Sequence, residues 1–219
     1  MPRESAARRS ERLARIIPIL RDTYPDAHCE LNHSNPLELL IATILSAQCT
    51  DRQVNVVTAD LFRKYRTAAD YSAAAPDVLA EDIRRIGLYR NKAKNIKSCC
   101  QTLVREHGGE VPRTMDALTA LDCVGRKTAN VVLGNAFGIN VGVVVDTHVA
   151  RLSERLGLSA SATPEKIEQD LMKLLAPADW ALASHWLIFH GRRRCYARKP
   201  DCADCELAEL CPSADLAGP

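Results

Sequence analysis

Four cysteines in the last quarter of the chain lie close enough together to share one metal centre. Cys195, Cys202, Cys205 and Cys211 follow the spacing C-x6-C-x2-C-x5-C. Four thiolates hold either a tetrahedral zinc ion or a [4Fe–4S] cluster, and a zinc site of the paired-knuckle type needs a second C-x2-C pair that this segment lacks. We therefore predict a [4Fe–4S] cluster, with zinc as the alternative.

Disulfides are the other possibility for these cysteines. Residues 1–16 carry charges throughout and contain no apolar run of the kind found in a signal peptide. We therefore expect a cytoplasmic protein in a reducing compartment, where disulfides are rare. The remaining cysteines show no metal-binding spacing and are expected to be ordinary thiols; they are Cys29, Cys49, Cys99, Cys100 and Cys123.

Lys127 is a candidate nucleophile. It follows a sharp connection, residues 122–126, between two segments of helical character, MDALTAL and KTANVVLGNAF. An amine is nucleophilic only when it is neutral, and burial, the positive end of its own helix and neighbouring Arg126 would each favour the neutral form. The alternative is an exposed lysine in the first turn of an ordinary helix.

The same connection predicts an anion site. In a tight helix–hairpin–helix, successive backbone N–H groups point outward and adjoin the N-terminus of the following helix, which suits a DNA phosphate. We expect Val124, Gly125 and Arg126 to contact DNA there, without reading its sequence. An αα-hairpin with a glycine turn and no ligand is the alternative.

Asp146 precedes the helical segment THVAR and is expected to cap it. Hydrogen bonds from the helix N-terminus would keep its carboxylate ionised, and an ionised carboxylate can stabilise a developing positive charge. We interpret the nearby His148 as a structural hydrogen-bonding group rather than a base.

Charge is distributed unevenly, although the net charge is only +2. Two basic runs contain no acidic residue, which favours a polyanionic partner such as nucleic acid over a solvated helix face. The first run is Arg84, Arg85, Arg90, Lys92, Lys94 and Lys97, and the second is Arg192, Arg193, Arg194, Arg198 and Lys199. No stretch approaches the roughly 20 apolar residues that a membrane span requires, so we expect no membrane association.

Helical patterns dominate the chain, and no segment shows the sustained alternation that specifies a sheet. The fold is therefore predicted to be all-α, with two lobes. Asn35-Pro36 should open a buried core helix, and Thr50 should cap a helix that runs to about Tyr65. Further helices are expected from Ala75-Pro76 to Gly87, from Asn91 to about His107, from Thr163-Pro164, and from Ala178 to His190 with Gly191 as its stop. Residues 142–146 should form an extended connector.

The motifs LDCVGRKTANVVL, VVVDTHVAR and HGRRRCYARKPDCADCELAELC, in that order, closely resemble the endonuclease III family. These are DNA glycosylases with AP-lyase activity in the helix–hairpin–helix superfamily. The likeness runs from about Leu31 to Cys211 and includes LLIATILSAQCTD and IGLYRNKAKNI. It implies a two-lobed, all-α glycosylase fold. Residues 29–139 would form a six-helix barrel, with the helix–hairpin–helix at about 114–137. Residues 1–28 and 140–219 would form an iron–sulfur domain, with a cluster loop at 195–211.

The resemblance also implies roles for individual residues. Lys127 would attack the sugar C1′ after a damaged pyrimidine is flipped out, and Asp146 would stabilise the oxocarbenium-like transition state. A Schiff base would then permit β-elimination of the 3′ phosphate. Gln48 and Leu88 stand at the plug and wedge positions that fill the vacated stack, and the four cysteines would hold the [4Fe–4S] cluster. The partner would be duplex DNA with oxidised pyrimidines or abasic sites, bound by a monomer.

Two positions depart from the family pattern. Asp122-Cys123 replaces the usual Pro-Gly, which places a negative charge and a Cβ in the hairpin, and Thr119 stands where the family commonly has an acid. We expect weaker DNA affinity and slower turnover than with Pro-Gly. The alternatives are a non-catalytic or weakly active DNA-binding paralogue and a monofunctional adenine-type glycosylase; Lys127 argues against both.

Overall fold

The computed structural model describes residues 4–214, and within this range the secondary structure is entirely helical, without a strand. The all-α prediction is confirmed. The helices are α1 (Ala6–Thr23), α2 (Pro36–Ser46), α3 (Asp51–Lys64), α4 (Ala68–Ala73), α5 (Pro76–Asp82), α6 (Tyr89–His107), α7 (Met115–Thr119), α8 (Arg126–Phe137), α9 (Thr147–Arg155), α10 (Pro164–Leu174) and α11 (Trp180–Arg193), with 3₁₀ turns at Pro177–Asp179 and Ala208–Leu210. In the described part of the chain, no helix combines the length and apolarity needed to cross a membrane.

The chain divides into two compact units. One consists of the described parts of Met1–His28 and Asn140–Pro219, where α11 packs against α1 and α9. Its core includes Leu20, Leu152 and Phe189. The other is Cys29–Ile139, built around α2, which contacts α3, α6 and α8. The central position predicted for α2 is confirmed, since five of its side chains are completely buried: Leu39, Leu40, Ile41, Ala42 and Leu45.

Helix starts follow the local capping chemistry of the sequence. The Asn35 side chain accepts a hydrogen bond from Glu38 N at 2.9 Å, and the Thr50 hydroxyl accepts one from Gln53 N at 3.3 Å. Both starts agree with the prediction, because each side chain satisfies an N–H group that lacks an intrahelical partner. Residues 142–146 form neither a helix nor a strand, as expected of a connector.

One predicted helix end was wrong because the apolar pattern continues beyond the helix. α5 ends at Asp82 rather than at Gly87. The following residues form turns, in which Arg84 N donates to Glu81 O and Ile86 N to Ile83 O. Ile83 and Ile86 are nevertheless buried, so their spacing reflects packing of a turn and not a further helical turn.

The predicted end of α11 was also wrong. The helix continues through Gly191 to Arg193. A Cβ on Gly191 would lie 3.0 Å from the His148 Cβ, closer than side chains normally approach. Gly191 therefore permits close packing of α11 on α9 and does not terminate its helix.

Candidate functional site

The predicted helix–hairpin–helix is present, formed by α7, residues 120–125 and α8. Leu121 and Val124 are buried and anchor the hairpin, and Val124 N donates to Leu121 O at 3.2 Å. The N–H group of Val124 is thus already bonded within the hairpin, and its predicted contact with DNA stays a prediction. Cys123 has φ +59, the left-handed conformation that glycine adopts readily and other residues do not.

The N-terminus of α8 offers a site for an anion. Gly125 is the N-cap and makes no side-chain capping bond, so no cap side chain covers the first-turn N–H groups. A Cβ built on Gly125 would meet nothing within 4 Å, which leaves the approach to these groups open. Backbone N–H groups and the helix dipole together favour a negatively charged ligand at this position.

Lys127 is the second residue of α8 and is exposed. The burial expected for Lys127 is therefore not present in the free protein. Lys127 does lie at the N-terminus of α8, next to Arg126, the first residue of the same helix. An exposed amine next to an anion site can reach a bound nucleic acid.

Gln48 and Leu88 lie close together although they are far apart in sequence. Gln48 has φ +54 and Leu88 φ +58, so both adopt the left-handed conformation, and both side chains are exposed. Leu88 is 60% exposed, the most among the exposed large hydrophobic residues of the described chain. A Cβ on Gly87 would lie 3.8 Å from Gln48 O. Left-handed backbone in non-glycine residues persists only when surrounding structure imposes it, and it clusters at functional sites.

The first basic run is not a continuous surface. Lys92 is only 5% exposed, and its ammonium donates to Leu45 O at 2.8 Å and Ala47 O at 2.6 Å; burial lowers the pKa of Lys92. Lys97 donates to the carbonyls of Ser72 and Ala74. The interpretation of Lys92 as a polyanion contact is therefore wrong. The run still presents exposed cations, namely Arg84, Arg85, Arg90 and Lys94.

Asp146 caps α9 as predicted. Its Oδ1 accepts hydrogen bonds from His148 N and Val149 N, each at 2.8 Å. The His148 ring Nδ1 is 3.1 Å from Arg151 Nη2, which agrees with a structural role for His148. Asp146 is partly exposed, so its carboxylate combines a fixed position with access from solvent.

The four cysteines with metal-ligand spacing line one cavity of about 250 Å³, together with Arg155 and His190. Arg155 Nη1 donates to Cys195 Sγ at 3.1 Å, and His190 Nε2 lies 3.5 Å from Cys205 Sγ. Burial raises the pKa of Cys205 to about 11. Between residues 4 and 214, no three His, Cys, Asp or Glu side chains converge on a position for a single metal ion.

Two arginines of α9 that the sequence analysis missed hold the cysteine loop. Arg151 donates to Cys195 O at 3.2 and 3.0 Å, and Arg155 donates to the carbonyls of Tyr196 and Ala197 at 2.7 and 3.0 Å. Their spacing of four residues, which puts both side chains on one helix face, was the available signal.

Arg194 belongs to the second basic run but is bonded within the loop. It pairs with Asp201 at 2.6 Å and Glu206 at 3.0 Å. Its charge is therefore compensated, whereas Arg198 and Lys199 of the same run are exposed.

Comparison with known proteins gives one consistent result. The family model described as "HhH-GPD superfamily base excision DNA repair protein" matches residues 41–177. Endonuclease III of Synechocystis sp. is 51% identical over 95% of each chain, and endonuclease III of Escherichia coli is 45% identical over 90% of this chain and 92% of its own. A trapped endonuclease III–DNA covalent intermediate superposes with a TM-score of 0.89 at 48% identity, covering 94% of this chain and 96% of that one. The chain therefore belongs to the endonuclease III family within the HhH-GPD superfamily.

Proposed function

We propose that the protein is a base-excision DNA glycosylase with AP-lyase activity that removes oxidised pyrimidines from duplex DNA. The observation that carries this proposal is the position of Lys127, an exposed amine in the first turn of α8 directly after the hairpin. Similarity to endonuclease III over nearly the whole chain supports the same activity. Abasic sites in duplex DNA are substrates of the lyase step.

Lys127 is the proposed nucleophile. Its neutral amine attacks C1′ of the flipped nucleotide, the bond to the damaged base breaks, and the secondary amine rearranges to a Schiff base with the opened sugar. Loss of a proton from C2′ then expels the 3′ phosphate by β-elimination. Asp146 is the proposed stabiliser of the oxocarbenium-like transition state, and its two bonds from backbone N–H groups hold its carboxylate in a fixed position for that role.

The DNA backbone is proposed to bind at the hairpin and at the start of α8, with Val124, Gly125 and Arg126 as contacts. Flipping a nucleotide costs a few kcal/mol, least for a damaged base. Gln48 and Leu88 are the proposed plug and wedge that fill the vacated space. Their exposure and their shared location support this role.

The four cysteines are proposed to hold a [4Fe–4S] cluster. Four thiols around one cavity of about 250 Å³ fit a cluster whose ligands each bind a separate iron, and Arg155 donates a hydrogen bond to one of these sulfurs. When bound, the cluster would supply a structural cross-link and no redox step in base removal. Accordingly, Met1–His28 with Asn140–Pro219 is the proposed iron–sulfur domain, and Cys29–Ile139 the proposed six-helix barrel.

Borohydride trapping tests the catalytic proposal. The protein is incubated with a thymine glycol duplex and, separately, with an abasic duplex, and covalent adducts are resolved by gel. We expect adducts on both duplexes and their loss in Lys127→Ala. Lys166→Ala is the matched control, because Lys166 is also an exposed lysine in the first turn of a helix, α10.

Each other result selects an alternative. Adduct on the abasic duplex alone would mean a lyase without the proposed base specificity. Base release without an adduct would indicate a monofunctional glycosylase, and binding without either reaction would indicate a non-catalytic paralogue.

Absorbance tests the cofactor proposal. Purified protein is expected to absorb near 400 nm and to bleach when the cluster is destroyed. Cys202→Ser should reduce this band, whereas Cys29→Ser, which changes a cysteine outside the loop, should not. Stoichiometric zinc and no such band would overturn the assignment.

A further inference from the structure

The C-terminal end of α2 is held by a side chain from α6. Helix C-termini leave carbonyl groups without donors, and a left-handed glycine just after the helix commonly helps to satisfy them. In this chain the corresponding residue is Gln48, at φ +54. The ammonium of Lys92 supplies additional donors, to Leu45 O at 2.8 Å and to Ala47 O at 2.6 Å.

Lys92 also belongs to the first turn of α6. Leu88 is the N-cap of α6, and Lys92 N donates to Leu88 O at 3.1 Å. The backbone of Lys92 is therefore bonded to Leu88, and its side chain to the residue just before Gln48. One residue thus links both left-handed positions.

Burying a lysine side chain is energetically unfavourable for a residue that has only a structural role. Lys92 is 5% exposed, and a buried ammonium is tolerated only when hydrogen bonds replace its lost hydration. The two residues that it links each adopt a left-handed backbone conformation, which is unfavourable in a residue other than glycine. Strain of this kind must be imposed by neighbouring contacts, and the bonds of Lys92 to Leu45 O and Ala47 O are among them.

We propose that Lys92 is a positioning residue that fixes the Gln48 main chain next to Leu88, so that both side chains are already arranged to fill the space left by a flipped nucleotide. This rests on the proposed function, since it concerns the plug and wedge of that same site. The proposed role is indirect, because the ammonium of Lys92 is buried against Leu45 O and Ala47 O.

The chain offers a matched control on the same helix. Lys97 donates to the carbonyls of Ser72 and, at 2.7 Å, Ala74, at the end of α4. The bond type is the same as for Lys92, but neither Gln48 nor Leu88 is involved. Lys92→Met and Lys97→Met therefore each remove an ammonium that caps a helix, and only the first releases the predicted DNA-contacting pair.

Base extrusion is the readout. Stopped-flow fluorescence of 2-aminopurine placed opposite thymine glycol follows the opening of the base pair under single-turnover conditions. We expect Lys92→Met to slow extrusion by about tenfold or more, as expected when positioning groups are misplaced. Lys97→Met should stay within about twofold of the unmodified protein, as is usual for substitutions away from a site.

A double-mutant cycle separates positioning from general destabilisation. If Lys92 acts through Gln48, then Lys92→Met added to Gln48→Ala should slow extrusion by only about twofold more, because the plug is already lost. An equal slowing in both backgrounds would overturn the proposal, as would a normal rate in Lys92→Met alone.

Two further measurements keep the test independent of folding and of activity. If Lys92→Met does not fold, Lys92→Arg keeps the charge and the donors but changes their reach. We then expect a folded protein with slowed extrusion, and a normal extrusion rate would refute positioning.

Amide hydrogen exchange at Cys49 in the free protein should accelerate in the Lys92 variants and not in Lys97→Met. If the unmodified protein forms no adduct, the proposed function fails; if it does, and the exchange and extrusion of the Lys92 variants are normal, only the role of Lys92 fails.

Discussion

Cys123 occupies a backbone conformation that suits glycine. Its φ is +59, and the adjacent Asp122 carboxylate accepts a hydrogen bond from Ser98 on α6. The residue therefore keeps the hairpin geometry at an energetic cost. Asp122 adds a negative charge to a surface that we propose binds phosphate, although its bond to Ser98 draws that charge towards α6.

Replacing Cys123 by glycine should remove the conformational strain at this position. Cys123→Gly is expected to raise the free energy of unfolding by about 1 kcal/mol, because a left-handed residue no longer carries a Cβ. Together with Asp122→Pro, it should also tighten DNA binding. Urea denaturation and DNA titration at fixed salt measure the two effects. Cys123→Ala retains the Cβ and should gain little; an equal gain in that variant would assign the effect to the thiol instead.

Single-residue predictions succeeded where the chemistry is local. The caps Asn35, Thr50 and Asp146 each bond a backbone N–H group two or three residues away, so sequence alone identifies them. Lys92 was misinterpreted because its partners lie more than forty positions earlier in the chain. A signal did exist, since Lys92 falls on the buried stripe of α6 that includes Ile96 and Leu103.

At the scale of helices, Gly191 sets how closely α11 approaches α9. Gly191→Ala should destabilise the protein by ~1–3 kcal/mol, the usual cost of overpacking, because the added Cβ would lie 3.0 Å from the His148 Cβ and 3.1 Å from Arg151 Nη2. The melting temperature measures this. Gly125→Ala provides the comparison for stability, since a Cβ there meets nothing within 4 Å. An unchanged or raised melting temperature in Gly191→Ala would contradict this, because alanine has the higher helix propensity and only the contact with α9 opposes the substitution.

Helix ends were harder to predict than helix starts. Starts depend on a cap within the segment, whereas the ends of α5 and α11 depend on what the following residues pack against. Gly87 and Gly191 have the same residue type, yet the first lies in a turn and the second inside a helix. Sequence patterns predict that a helix ends at a glycine. At Gly191 the helix continues instead, because close packing against α9 requires a residue without a side chain.

For the molecule as a whole, stability should depend on pH through a partly buried histidine. Burial, with a smaller contribution from His28, lowers the pKa of His185 from 6.5 to about 4. The unfolded chain then binds a proton below pH 6.5 that the folded chain does not bind until about pH 4. The contribution of His185 is therefore complete above pH 6.5 and is lost as pH falls towards 4.

Denaturation at several pH values checks this dependence. Between pH 7 and pH 5 the unmodified protein should lose up to about 2 kcal/mol more stability than His185→Gln, which has no proton to gain. His190, whose pKa burial also lowers to about 4, contributes in the same direction and is present in both proteins. Parallel pH profiles for the two proteins would show that His185 is protonated equally in the folded and unfolded states.

Much of the overall architecture was predictable, because it follows from the order of motifs along the chain and from the periodicity of apolar residues. The order of the hairpin, the Asp146 segment and the cysteine loop identified the family, and helical periodicity identified the all-α class. The spacing of Arg151 and Arg155 places both on one helix face, but their bonds to the cysteine loop could not be predicted, since these depend on how α9 packs against residues 195–197.

The lysine caps also determine an order of assembly within Cys29–Ile139. α4 and α5 have six and seven residues, too few to persist as isolated helices, and both pack against the nineteen residues of α6. The end of α4 is closed by Lys97 and the end of α2 by Lys92, both from α6. We therefore expect the short helices to become stable only after α6 has formed. In kinetic terms, we expect α6 to belong to the folding nucleus, so that substitutions on its buried face slow folding more than they speed unfolding.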